Sequence, residues 1–522
     1  MPNERFRTPE YRKHASSTFG RMSQTTLRVT GLEPVLERAN AANKAVLKSL
    51  IGKMVTYEDI IKQCGNNPEA IWREVKKAGG EKKNGAVPII GMSLGNPNAY
   101  EYFPPNHTLM ESIRESMAEG NDRKSCSYTA SYGLPELCSY LRGVNLSDPS
   151  SVNKDPHKFS DVRTLVTAGG SQAAHYALGP LLLRSEDTVA VHDWIYIIHL
   201  GAAYYRDANL RNFDLSNNGI PDPDSLGKML HECGQNGAMI KCVVSTTIGN
   251  PIGSATPREA IVESMRVVRQ QAEKDSRPIV MMFDTAYEAF RPDGKPLDPI
   301  EIAKDEGIEL PVFVLETASK GHGLCGMRFG ALRISWPSPY FARLREDYMS
   351  SLDFMVQPSL GLVATPIQRG VLNYFQKVEM DAETMAGDMK FLEERRKKCN
   401  ANLLNIANRL REIEGVYLAR YYDHSGERSE IDPNTLSSFY IAFGFHGLTK
   451  FGARFNQAEW LARFGLESGL SVITSVPGVS FLPEERWSDH PALIRVTALT
   501  NEQDTESFLN TVSAAAEHLK KK

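Results

Sequence analysis

Lys320 stands in Thr317-Ala318-Ser319-Lys320-Gly321, which follows the apolar run Val312-Phe313-Val314-Leu315 after Glu316, and Arg328 comes eight residues later. A lysine at the end of a buried strand is costly to keep charged. Desolvation favours loss of its proton and leaves a nucleophilic amine. Capture of a carbonyl as a Schiff base is the chemistry that fits. Three other polar clusters follow apolar runs in the same way. Thr167-Ala168-Gly169-Gly170-Ser171-Gln172 comes after Thr164-Leu165-Val166 and opens an apolar segment. As a helix start it offers backbone N–H groups and a dipole to a phosphate. Gly249-Asn250-Pro251-Ile252-Gly253 comes after Cys242-Val243-Val244, and Asp284 with Tyr287 comes after Ile279 to Phe283. Taken singly, each cluster also reads as plain structure: a Gly-rich turn, an Asn-Pro turn, an aspartate capping the next helix. In open α/β sheets, however, ligands gather at the carboxyl ends of strands, where all four clusters fall.

The elements that must position these residues are legible as a pattern. Between Asp161 and Ile334 short apolar runs alternate with helical segments, from Thr164-Leu165-Val166 through Val189-Ala190-Val191 to Gly330-Ala331-Leu332-Arg333-Ile334. This is how a buried, mostly parallel sheet reads in sequence. We therefore expect a large α/β domain over residues 91–375, opened by the extended stretch Val87 to Leu94 and the loop Gly95-Asn96-Pro97. Residues 1–90 form an N-terminal extension, mostly helical over 34–80. Residues 376–522 form a smaller α+β domain: a long charged helix from Asp381 to Glu414, strands near Val416–Ala419 and Ser438–Phe443, a helix near Gln457–Ser468, then strands at Val472-Ile473 and Ile494-Arg495-Val496. No internal repeat or low-complexity tract interrupts this order.

Bulk properties narrow the function classes. At 522 residues the chain is long enough for more than one core. Sixty Lys and Arg against 63 Asp and Glu leave a formal charge of -3, so no whole-molecule field draws nucleic acid or an anionic membrane. No apolar run long enough to span a bilayer occurs, and the N-terminus lacks the apolar block of a secretory signal. Seven cysteines scattered singly give neither metal-ligand pairs nor an even disulfide framework, which suits a reducing compartment. The expected location is the cytoplasm. The Arg-, Ser- and Thr-rich first thirty residues, interrupted by Glu4 and Glu10, leave an organelle matrix open.

In this order and at these distances the clusters resemble the class I/II aminotransferases, pyridoxal 5′-phosphate (PLP) enzymes of fold type I, over residues 90–500. Asn250-Pro251-Ile252-Gly253 looks like the family's Asn-Pro-Thr-Gly. Asp284-Thr285-Ala286-Tyr287 looks like its Asp-x-x-Tyr, and Thr317-Ala318-Ser319-Lys320 like its Ser-x-Ser-Lys. Tyr128 with Gly133-Leu134-Pro135-Glu136-Leu137 is similar to its Tyr-x-x-x-x-Gly-x-x-x-Leu, while Pro477-Gly478 and Arg495 match its Pro-Gly turn and C-terminal arginine. Ser319 to Arg328 is most similar to the alanine-aminotransferase branch. The lysine-to-arginine spacing is one residue shorter, and Ile252 replaces that branch's threonine.

The resemblance implies an α/β fold type I enzyme with a mostly parallel sheet, PLP as cofactor and Lys320 as its Schiff-base partner. It implies that Asp284 pairs with the pyridine nitrogen, that Tyr287 and Asn250 bond the phenolic oxygen, and that Tyr196 stacks on the ring, with Trp194 as the other aromatic available. Ser171, Gln172, Thr317, Ser319 and Arg328 hold the phosphate, joined by Tyr128 from a second subunit of a homodimer. Gly95, Asn250 and Arg495 bind an amino-acid substrate, Arg495 through its α-carboxylate. The implied activity is transfer of an amino group from an L-amino acid to a 2-oxo acid. The same residues also suit a PLP-dependent lyase, decarboxylase or oxidase. A non-catalytic protein that kept the fold predicts decay of this set, and the set is intact. His322 reads as a second acid/base or as a packed side chain, and Cys325 as a reactive thiol or an inert one.

Overall fold

The computed structural model describes residues 89–521, apart from 94, 98–102, 119–121, 217, 338–340, 358–362, 423–427, 433–434, 449–456, 484–485, 487–489 and 491–492. The helices expected over 34–80 lie outside the described residues. The chain divides into two compact units. One comprises Asn96–Ala401 with Tyr421–Ser438; the other comprises Met1–Gly95, Asn402–Arg420 and Phe439–Lys522.

The larger unit is built on a seven-stranded sheet. Its strands are β1 (Arg163–Thr167), β2 (Asp187–His192), β3 (Asn209–Phe213), β4 (Met239–Thr246), β5 (Val280–Asp284), β6 (Val312–Thr317) and β7 (Gly330–Ser335). Their order is β1-β7-β6-β5-β4-β2-β3. Strands β2 to β6 run parallel, and β7 runs antiparallel to both β6 and β1. Composition explains why this sheet is central. Along β5, Val280 and Met282 enter one buried cluster while Met281 and Phe283 enter the other; Phe313 and Leu315 against Val312 and Val314 do the same on β6. Alternate residues point to opposite faces, so an unbroken apolar run is what two covered faces require. The expected apolar runs are all strands, and β3 at the sheet edge joins them.

The reversal at β7 follows from its connection. The twelve positions 318–329 carry turns but no helix, whereas a parallel return needs a crossover, usually through a helix. The consequence is local to the site: Gly330 lies in register with both Thr167 and Thr317, which brings the ends of β1 and β6 beside the start of β7.

In the other unit, strands Val476–Pro477, Ile494–Thr497, Tyr440–Phe445 and Val416–Leu418 form a four-stranded antiparallel sheet in that order. Helix Glu502–Lys520 contributes Phe508, whose ring meets Phe443 edge-on. Strand Ile89–Gly91 pairs in parallel with Val472–Thr474. Among the described residues no helix is long and apolar enough to cross a membrane.

Candidate cofactor and active site

The phosphate end of the site is a matter of backbone geometry. Helix Gly170–Leu178 begins immediately after β1, and its N-cap, Gly169, makes no side-chain capping bond. The amides of Gln172 and Ala173 donate to the Gly169 carbonyl at 3.2 and 3.3 Å, which leaves those of Gly170 and Ser171 as the donors of the helix start. Gly169 has φ +83°, and a Cβ there would come within 2.7 Å of Arg328 Nη2. Glycine is needed on both counts, conformation and space. Arg328 has φ +52° and donates to the carbonyls of Ala168 (3.0 Å) and Cys325 (3.1 Å). Nothing lies within 4 Å of the position a Cβ would take on Gly170. Thr317 and Ser319 are buried beside this gap, with Thr317 Oγ1 donating to Ser319 Oγ or to the carbonyl of Phe329. Ser171 is exposed at the helix start, and Gln172 uses its side-chain oxygen to accept from the Ala168 amide at 2.6 Å. An open, uncapped helix terminus with an arginine and two hydroxyls fits a phosphate monoester.

At the other end, Asp284 closes β5 with its side chain 15% exposed, and His199 Nε2 donates to its Oδ2 at 2.9 Å. The amide of Ala286 donates to Oδ1. His199 lies on helix Ile197–Tyr205, whose N-cap residue is Tyr196; the two rings meet edge-on with centroids 6.4 Å apart. Beneath them His192, fully buried, has its pKa pushed down to about 4 by desolvation. Its Nδ1–H donates to the carbonyl of Asp193 and its Nε2 accepts from Thr246 Oγ1, so both nitrogens are used by the neutral ring. Sequence reasoning missed both histidines. The available signal was His199 itself, one helical turn after Tyr196 on a segment following a strand.

Of the two aromatic candidates, Trp194 is buried in the core with φ +59°, while Tyr196 is half-buried at the helix start. Lys320 is half-buried and its Nζ lies 5.9 Å from the centre of the Tyr287 ring. Asn250 is buried in a closed loop in which Gly253 donates back to Gly249 and Gly249 to Ser254. His322 is committed to packing: Nε2 donates to the Leu146 carbonyl at 2.7 Å, Nδ1 accepts from Asn106 Nδ2, and burial lowers its pKa. Cys325 donates its S–H to the carbonyl of Ser319. Tyr128 stands 85% exposed.

The larger unit thus brings together Ser171, Gln172, Thr317, Ser319 and Arg328, and it sets Asp284, Tyr287, Asn250, Tyr196 and Lys320 at or just after strand ends. Gly95 and Arg495 belong to the other unit. A Cβ on Gly95 would come within 1.7 Å of the Tyr440 hydroxyl. Arg495 is buried on strand Ile494–Thr497, its guanidinium over the rings of Tyr440 (4.2 Å) and Phe481 (5.2 Å), with Nη2 donating to the Ser93 carbonyl.

A sheet of this order carrying a lysine, a histidine-backed aspartate and an open phosphate cradle defines a PLP-dependent enzyme of fold type I. The pattern of the family described as aminotransferase class I and II matches residues 90–506. The chain belongs to that family and is a PLP-dependent aminotransferase. Among solved structures, alanine aminotransferase from Pyrococcus furiosus is similar at 20% identity and TM-score 0.63, covering 89% of this chain and 99% of its own. Tyrosine aminotransferase from Leishmania infantum is similar at 13% and 0.63, covering 82% and 92%. Kynurenine aminotransferase from Pyrococcus horikoshii is similar at 19% and 0.60, covering 87% and 93%. At these identities the likeness is one of fold. No curated protein matches the chain in sequence.

Proposed function

We propose that this enzyme moves the amino group of an L-amino acid to a 2-oxo acid, with Lys320, Asp284 and Tyr287 as its catalytic residues. The observation that carries this reading is the Asp284–His199 pair at the end of β5. A carboxylate oriented by a buried hydrogen-bond donor is what a protonated pyridine nitrogen requires as a partner. Bound PLP supplies an electron sink for the charge formed at the substrate Cα. The protein's own groups do the rest. Lys320 Nζ would hold the cofactor and, as a free amine, would move the substrate Cα proton. Tyr287 Oη and Asn250 Nδ2 would donate to the phenolic oxygen, and Tyr196 would stack on the ring. Ser171, Gln172, Thr317, Ser319 and Arg328 anchor the phosphate. Gly95, Asn250 and Arg495 receive the substrate, Arg495 as a fork for its carboxylate.

We further propose a homodimer that works in the cytoplasm. The exposed ring of Tyr128 supports a role in a second copy's phosphate site, and the free state of all six cysteines among the described residues suits a reducing compartment. The test is a single-turnover assay: PLP-loaded enzyme with one L-amino acid and no oxo acid. Release of one oxo acid per site, followed by arrest, is expected. Continuous release of ammonia or carbon dioxide would overturn the reading.

A further inference from the structure

The loop that carries Asn250 and the turn that carries Tyr287 are joined by a buried ion pair. Residues 247–256 form a closed hairpin: Ile248 bridges Ala255, and the amide of Thr256 donates to the carbonyl of Thr247 at 2.8 Å. Both base carbonyls of this hairpin accept from one side chain. Arg291 Nη1 donates to Thr256 O at 2.9 Å and Nη2 to Thr247 O at 3.3 Å. The same guanidinium is gripped by Glu288, with Nε to Oε2 at 2.8 Å and Nη2 to Oε1 at 2.7 Å. Glu288 is itself anchored by the Leu297 amide at 2.7 Å. Glu288 follows Tyr287 directly and opens the 3-10 turn Glu288–Phe290, and both charged residues are buried. The backbone adds a second tie, since the amide of Thr247 donates to the carbonyl of Asp284 at 3.2 Å.

A buried pair made only for stability is replaceable by apolar side chains of similar volume, often without loss. This pair does something an apolar substitute cannot: its remaining N–H groups fix the base of one functional loop against the turn of another. We propose that Glu288 and Arg291 are positioning residues that set the spacing of Asn250 from Tyr287, and through it the acidity of the Lys320–cofactor linkage. The inference rests on the roles proposed above for Asn250 and Tyr287. Hydrogen bonds to the phenolic oxygen favour the deprotonated linkage, so a loosened pair of donors should raise the pH at which it loses its proton. The charged and titratable groups of this part of the site, Asp284 with His199, Tyr196, Tyr287, Lys320 and Arg328, are kept intact throughout.

The test uses the PLP-loaded full chain, wild type against Arg291→Met and against the double variant Glu288→Met/Arg291→Met, which removes both charges together and so protects folding. The pH midpoint of the visible absorbance change of the bound cofactor is read alongside the unfolding midpoint. We expect a rise of about one pH unit in each folded variant, from loss of roughly one hydrogen bond's worth of orientation. A folded double variant that titrates at the wild-type pH would reduce the pair to structural packing and overturn the inference. A wild type without any borohydride-reducible, pH-sensitive band on Lys320 would instead overturn the cofactor roles themselves, and the inference with them.

Discussion

Replacing Gly169 by Ala tests the phosphate cradle with a single methyl group. Two costs can be read from the structure. An L-residue at φ +83° carries backbone strain of roughly 1–3 kcal/mol. The new Cβ would also stand 2.7 Å from Arg328 Nη2, inside any normal contact, so the guanidinium must move. If that movement loses one charge-assisted bond to the phosphate, the loss is about 1.5–3 kcal/mol, which corresponds to roughly 10- to 150-fold weaker cofactor binding. The assay is titration of PLP into the apo-protein, followed by absorbance, with thermal unfolding measured in parallel to report the strain. Gly326→Ala is the control, because nothing lies within 4 Å of its Cβ position and it precedes the same arginine by two residues. Gly169→Ala should bind weakly and Gly326→Ala normally. A folded Gly169→Ala protein with wild-type affinity would refute the reasoning, since it would mean that Arg328 neither needs that space nor serves the phosphate from it.

Two further outcomes concern stability. His192 titrates at about 4 in the fold and near 6.5 when unfolded, so its contribution is fully present above pH 6.5 and is lost as the pH falls from there through 4. His192→Gln should remove that part of the acid sensitivity, seen as a flatter pH dependence of the urea midpoint; equal slopes in variant and wild type would contradict the burial argument. Arg333, wholly buried, neutralises Asp298 at 2.9 Å and Glu316 at 3.1 Å, while burial pushes the Glu316 carboxyl up to about 7. Arg333→Met strands the two acids together and should cost about 3–5 kcal/mol by chemical denaturation; a loss below roughly 1 kcal/mol would show that the acids are neutral without it.

Much of this site was legible in the chain as written. Lys320, Asp284 and Asn250 each follow an apolar run, and such runs encode their own burial through alternating side chains. Polar residues at the ends of these runs must then reach the sheet's carboxyl edge, whichever strands lie beside them. The same local logic placed the helices after Asp381 and Gln457 and the strands at Val416 and Ile494, because period and capping are properties of neighbours in sequence.

Partners across the fold are not encoded in that way. Nothing near His199 announces that it will meet Asp284, and nothing in the Tyr287 segment shows that Arg291 will reach the carbonyls of Thr247 and Thr256. Nor does the composition of Gly330–Ser335 reveal that it runs against its neighbours; the helix-free connection decides that, once the sheet exists to receive it. The sequence by itself determined which side chains carry the chemistry, since residue type and burial pattern are local. Tertiary structure decided what holds them, because a hydrogen bond forms only where two distant segments are packed to within about 3 Å.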